Sequence, residues 1–83
     1  MEKKGLPLND NRQYYIELGY NIAYYRKHAG LTQEALAEKV GISRQHLGAI
    51  EAPNLVRPIS LELLFNLAQA LQVAPYKLLV VRE

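Results

Sequence analysis

The chain contains no cysteine, so neither a disulfide framework nor a thiolate zinc site is available to it. Its two histidines, His28 and His46, cannot complete a structural metal site between them. No stretch approaches the roughly 20 continuous apolar residues needed to span a bilayer. Lys3 and Lys4 are not followed by a long apolar run, so a secretory signal is not expected either, and the default expectation is a cytoplasmic location with no membrane partner. Charge of one sign is also scarce: ten Lys and Arg stand against eight Asp and Glu, a net of +2. Contact with nucleic acid therefore has to come from local placement of charge and not from a polycationic surface. No nucleophile–base or paired-carboxylate constellation is visible, which speaks against an enzyme, and no cofactor or metal is called for.

What is present is an apolar content of 49% in 83 residues, enough for one small domain with a core near the lower limit of self-sufficiency. Residues 1–10 are polar, with Gly5 and Pro7, and read as a loose arm; the domain then covers 11–83. The pattern from there is helical, with no clear period of two. A first helix is expected from an Asp10 or Asn11 cap to Ala29 before Gly30, with Tyr15, Leu18, Ile22, Tyr25 and Ala29 on one stripe. His28 would cap or solvate its end, where a cation is favoured. Thr32 caps a second helix, Gln33 to Val40, which Gly41 breaks, and Ser43 caps a third through Glu51. Pro53 and Pro58 bracket a loop. Ser60 caps a fourth helix to Leu71, with Leu61, Leu64, Leu67, Ala68 and Leu71 on one side, and Pro75 opens a short fifth to about Leu79.

The second and third helices carry the functional signal. Counted from Gln33, apolar residues fall at the fourth, eighth, tenth, fifteenth and eighteenth positions: Leu36, Val40, Ile42, Leu47 and Ile50. Ala37 supplies the small side chain that two helices crossing at about 90–120° require. Gly41 supplies a turn residue tolerant of positive φ.

These residues, Gly30 to Ser43 followed by Leu47 and Ile50-Glu51, resemble the Cro/repressor-type (XRE) helix-turn-helix family. The resemblance extends to Leu18-Gly19, Ile22 and Arg26 before the motif, and to Ser60-Leu61-Glu62, Leu64 and Leu67 to Leu71 after it. It implies an all-α, compact five-helix bundle of the lambda-repressor-like type that binds double-stranded DNA with the third helix in the major groove. By position, the base-reading residues would be Ser43, Arg44, Gln45, Gly48 and Ala49. Arg44 suits guanine, Gln45 suits adenine, and Ala49 can offer only a methyl contact. Thr32, Gln33, Asn54 and Arg57 would meet phosphates, and His46 would either join them or face solvent. Lys3 and Lys4 could reach along the DNA backbone. The resemblance further implies a partly buried structural ion pair between Arg26 and Glu51.

The expected function is sequence-specific transcription regulation by repression or autoregulation. A homodimer is expected, because one short helix reads few base pairs; its surface would use Phe65, Tyr76, Leu79 and Val81. The rival reading is an antitoxin-like module that binds a protein partner first and DNA second. Ile16, Tyr20 and Tyr24 lie opposite the core stripe of the first helix, and Tyr20 and Tyr24 either sit half-exposed or form that partner surface. Two further departures from the family pattern are Gln72, where glycine usually follows the fourth helix, and the long apolar loop over residues 52–59.

Overall fold

Capping chemistry sets the element boundaries. In this computed structural model, which describes residues 10–81, five helices follow in order: α1 (Arg12–His28), α2 (Gln33–Val40), α3 (Arg44–Glu51), α4 (Leu61–Leu71) and α5 (Pro75–Leu78). No strand occurs among the described residues. Of the arm expected over residues 1–10, all but Asp10 lies outside the described residues, and so do Lys3 and Lys4.

Three helices begin on a hydroxyl. Thr32 Oγ1 accepts the Ala35 N–H at 3.0 Å, Ser43 Oγ the His46 N–H at 2.9 Å, and Ser60 Oγ the Leu63 N–H at 3.0 Å. Each satisfies one of the donors a helix leaves unpaired at its start. At α1 the expected pair of caps divides the work: Asn11 holds the cap position without a side-chain bond, while Asp10 Oδ1 accepts the Arg12 N–H at 2.9 Å.

The ends of α1, α2 and α4 share one device. The chain turns through a left-handed residue, and the next N–H bonds back across the last turn: Leu31 to Arg26, Ile42 to Ala37 and Val73 to Ala68, each at 3.0 Å. Gly30 and Gly41 adopt φ of 74° and 77° there. Gln72 takes φ 60° in the third instance, at a cost glycine would not incur. His28 closes α1 from the exposed side, its Nδ1 3.2 Å from the Tyr24 carbonyl and its ring against the Tyr24 ring.

The core joins Leu18 and Ile22 of α1, Leu36 and Ala37 of α2, Leu47 and Ile50 of α3, Leu64, Leu67, Ala68 and Leu71 of α4, and Leu78 of α5. Helix α1 packs on α3, α4 and α5, and α2 on α3 and α4. Tyr15, Tyr25, Val40 and Ile42 are partly buried against this cluster. Two stripe assignments are corrected. Leu61, three residues before Leu64, is 66% exposed, because it is the first residue of α4 and precedes the part of the helix that reaches the core. Ala29 is exposed at the C-cap of α1, where the stripe has run past its partner. Ile16 is half-buried, whereas Tyr20 and Tyr24 are each 46% exposed.

Two contacts fix α1 against the rest. Gly19 faces the end of α3 so closely that a methyl group there would overlap the Ile50 carbonyl oxygen and stand 3.3 Å from Glu51 Cα. Asn21, 1% exposed, donates both protons of its amide nitrogen, to the carbonyls of Leu78 at 3.0 Å and Val80 at 2.8 Å. That one side chain ties the segment after α5 to the middle of α1.

Candidate nucleic-acid interface

Helix α3 divides along its length. Leu47, Ile50 and Glu51 are buried, while Ser43, Arg44 and Gln45 at its start are exposed and His46, Gly48 and Ala49 are half-buried. The side chains of Arg44 and Gln45 form no hydrogen bond or ion pair within the described residues, so their donors face outward.

A polar frame holds the other end of α3. Arg26 Nε donates to Glu51 Oε2 at 2.8 Å and Arg26 Nη2 to Glu51 Oε1 at 2.9 Å, the paired geometry that suits guanidinium and carboxylate. The two side chains are only 10% and 6% exposed. Arg26 Nη1 donates to the Leu31 carbonyl at 2.9 Å, and Gln33 Nε2 donates to Glu51 Oε1 at 2.9 Å. The frame therefore links the end of α1, the turn after it, the first residue of α2 and the last residue of α3. Gln33, assigned to a phosphate by its position in the motif, thus has an internal partner as well; its backbone N–H remains in the first turn of α2, where an anion is favoured.

The sequence-assigned residues fall into two groups. Ser43, Gln45, His46, Gly48, Ala49 and Arg57 line one open depression of about 530 Å³ beside α3, and Leu55 completes its wall. Arg44 stands outside that depression on the exposed start of α3. Thr32 and Asn54 are exposed but separate from it. Ser43 serves first as the α3 cap, which leaves its hydroxyl proton free to donate.

Sequence reasoning missed three features. It did not find Leu55 at the depression, because the path of the 52–59 loop has no periodic signal. It missed the Gln33–Glu51 bond, which spans 18 residues. It also missed Asn21, although a polar residue between Leu18 and Ile22 on a buried stripe must find a partner. Of the suggested dimer residues, Phe65, Tyr76 and Leu79 are exposed and Val81 is half-buried. No three metal-ligating side chains converge among the described residues, and no helix there is long and apolar enough to cross a membrane.

The family model HTH_3, described as Helix-turn-helix, matches residues 22–78, which contain α2 to α5, the C-terminal part of α1 and the whole Arg26–Glu51 frame. The chain belongs to the XRE-type helix-turn-helix family of DNA-binding transcription regulators. Among relatives of this regulator, a hypothetical transcription factor from Neisseria meningitidis is 34% identical over 73 residues, spanning 88% of this chain and 67% of that protein. The restriction-modification controller protein C.AhdI from Aeromonas hydrophila superposes on the regulator with a TM-score of 0.77 at 31% identity, covering 84% of this chain and 99% of the other. SinR from Bacillus subtilis, solved in complex with DNA, gives 0.70 at 35% identity over 76% of this chain and 98% of SinR. SinR has also been solved in complex with SinI.

Proposed function

We propose that this regulator reads one half of a two-fold symmetric operator with the exposed start of α3, and acts as a homodimeric repressor or autoregulator in the cytoplasm. The observation that carries this is the outward-facing side chains of Arg44 and Gln45, which have no partner within the described residues, at the start of a helix whose other end the Arg26–Glu51 frame holds. Arg44 pairs with the two acceptors of a guanine and Gln45 with an adenine, each worth about 1–3 kcal/mol of discrimination. Ser43, Gly48 and Ala49 complete the base-facing surface. Thr32, Gln33, His46, Asn54 and Arg57 hold the phosphates, and the first-turn dipole of α2 assists. Residues 11–83 act as the single DNA-binding unit, and its activity is binding, not catalysis. Phe65, Tyr76, Leu79 and Val81 form the contact between copies, which sets half-sites about 34–36 Å apart.

Selection from random DNA at two salt concentrations tests this reading. An enriched two-fold motif whose affinity falls with salt supports it. Salt-sensitive binding without an enriched motif refutes it. In the enriched operator, Arg44→Ala relaxes preference at one guanine per half-site.

A second reading has its own observation. Tyr20 and Tyr24 are one turn apart on α1 and each 46% exposed, as a protein-binding face requires. The SinR–SinI complex shows that a relative takes a protein partner. On this reading Tyr20→Ser with Tyr24→Ser abolishes an association seen by light scattering and leaves operator affinity intact; an unchanged scattering profile removes it.

A further inference from the structure

Helix α3 carries a glycine for which the chain itself gives no reason. Gly48 sits in the interior of an eight-residue helix with ordinary negative φ. Glycine weakens a helix relative to alanine at such a position. A methyl group built on it would meet nothing nearer than Gln33 Oε1 at 3.7 Å, an ordinary contact. Gly19 is the opposite case, where a methyl would collide with the Ile50 carbonyl. The fold thus requires glycine at 19 and not at 48, and Gly48 lines the open depression beside α3. Ala49 beside it is almost as short. The same depression is lined by Leu55, an apolar side chain 47% exposed, and by Gln45 and Arg57.

We propose that this slot, floored by Gly48 and Ala49 and walled by Leu55, receives the 5-methyl group of a thymine, which makes Leu55 a specificity-determining residue. The inference rests on the reading of α3 as the helix that enters the major groove. Among the base edges in that groove only thymine presents a methyl group, with its O4 acceptor alongside. The apolar wall of Leu55 in that depression matches the methyl, while Gln45 and Arg57 keep the adenine and phosphate contacts proposed for them. Purines and cytosine lack that methyl and bring ring C–H and polar groups instead, which leave the apolar wall less well filled.

The test uses the operator obtained by selection, with each thymine replaced in turn by deoxyuridine, which removes only the methyl. Wild-type protein is expected to lose about fourfold in affinity at one thymine per half-site, the worth of burying one such group. Leu55→Ser, at an exposed position, should bind the thymine and uracil operators equally. Gly48→Ala should raise the thermal midpoint of the free protein yet weaken binding to the thymine operator; a role internal to the fold would lower the midpoint as well. Indifference of the wild type to uracil at every position overturns the slot. Full uracil sensitivity in Leu55→Ser overturns the assignment to Leu55. A loss in Leu55→Ser that leaves the ratio between the two operators unchanged means contact with the sugar backbone and also overturns it. Failure to enrich any operator would instead refute the reading of α3, so the two failures are distinguishable.

Discussion

Replacing Glu51 with glutamine changes one oxygen for an NH2 group and little else in shape. Three donors converge on the native carboxylate: Arg26 Nε, Arg26 Nη2 and Gln33 Nε2, all within 2.9 Å. The glutamine offers one acceptor oxygen and turns its own donors against at least one of these groups. The guanidinium, nearly shut off from water, then keeps its charge without a counter-ion. Stranding one member of a buried pair costs about 3–5 kcal/mol. A domain of this length holds roughly 4–12 kcal/mol in total, so Glu51→Gln should remove about a quarter or more of it. The thermal midpoint should fall by roughly 12–40 °C, at about 4–8 °C per kcal/mol for a domain of this size. Urea denaturation followed by circular dichroism gives the same quantity as a lower midpoint with unchanged slope. The double variant Arg26→Met with Glu51→Met should be much closer to wild type, because both desolvation costs disappear together. DNA affinity, measured where Glu51→Gln is still folded, should be nearly unaltered. An unchanged urea midpoint for Glu51→Gln would refute the reasoning.

Gly19→Ala forces a methyl into the Ile50 carbonyl, and the strain of about 1–3 kcal/mol should exceed the helix-propensity gain of about 1 kcal/mol; a higher thermal midpoint would contradict the close approach of α1 and α3. Asn21→Ala leaves the Leu78 and Val80 carbonyls without their donor, a loss of about 1–3 kcal/mol, with faster amide exchange over residues 78–81. Unaltered exchange there would show that Asn21 does not hold this segment. Gln72→Gly should stabilise by about 1 kcal/mol, since the left-handed conformation no longer opposes a side chain, and differential scanning calorimetry should record the rise.

The parts of the fold legible in the sequence are those decided within a few residues. Thr32, Ser43 and Ser60 cap because a hydroxyl reaches an N–H three positions on, and Gly30 and Gly41 turn because their own φ demands it. Spacing also located the core, but it marks a stripe and not where the packing partner stops, so Leu61 and Ala29 were placed inside and lie outside. Pairings across long separations left no such trace. Arg26 and Glu51 are 25 residues apart and were expected only through the family resemblance, whereas Asn21 reaches carbonyls 57 and 59 residues away with no resemblance to flag it. At the interface the exposed start of α3 was legible from the motif. Leu55 was not, since a loop with two prolines takes its course from tertiary contacts and not from any repeat.

The division of α3 into a buried face and an unattached exposed start bears on how such a molecule can change over generations. Leu47, Ile50 and Glu51 hold the helix in place, while the side chains of Arg44 and Gln45 contribute no hydrogen bond or ion pair to the rest of the described chain. Replacement of an unattached surface side chain typically moves stability by no more than about 0.5 kcal/mol. The few positions open to the outside can therefore be rewritten at almost no risk to folding, and a lineage can drift to new target sites while its scaffold stays under separate, stricter selection.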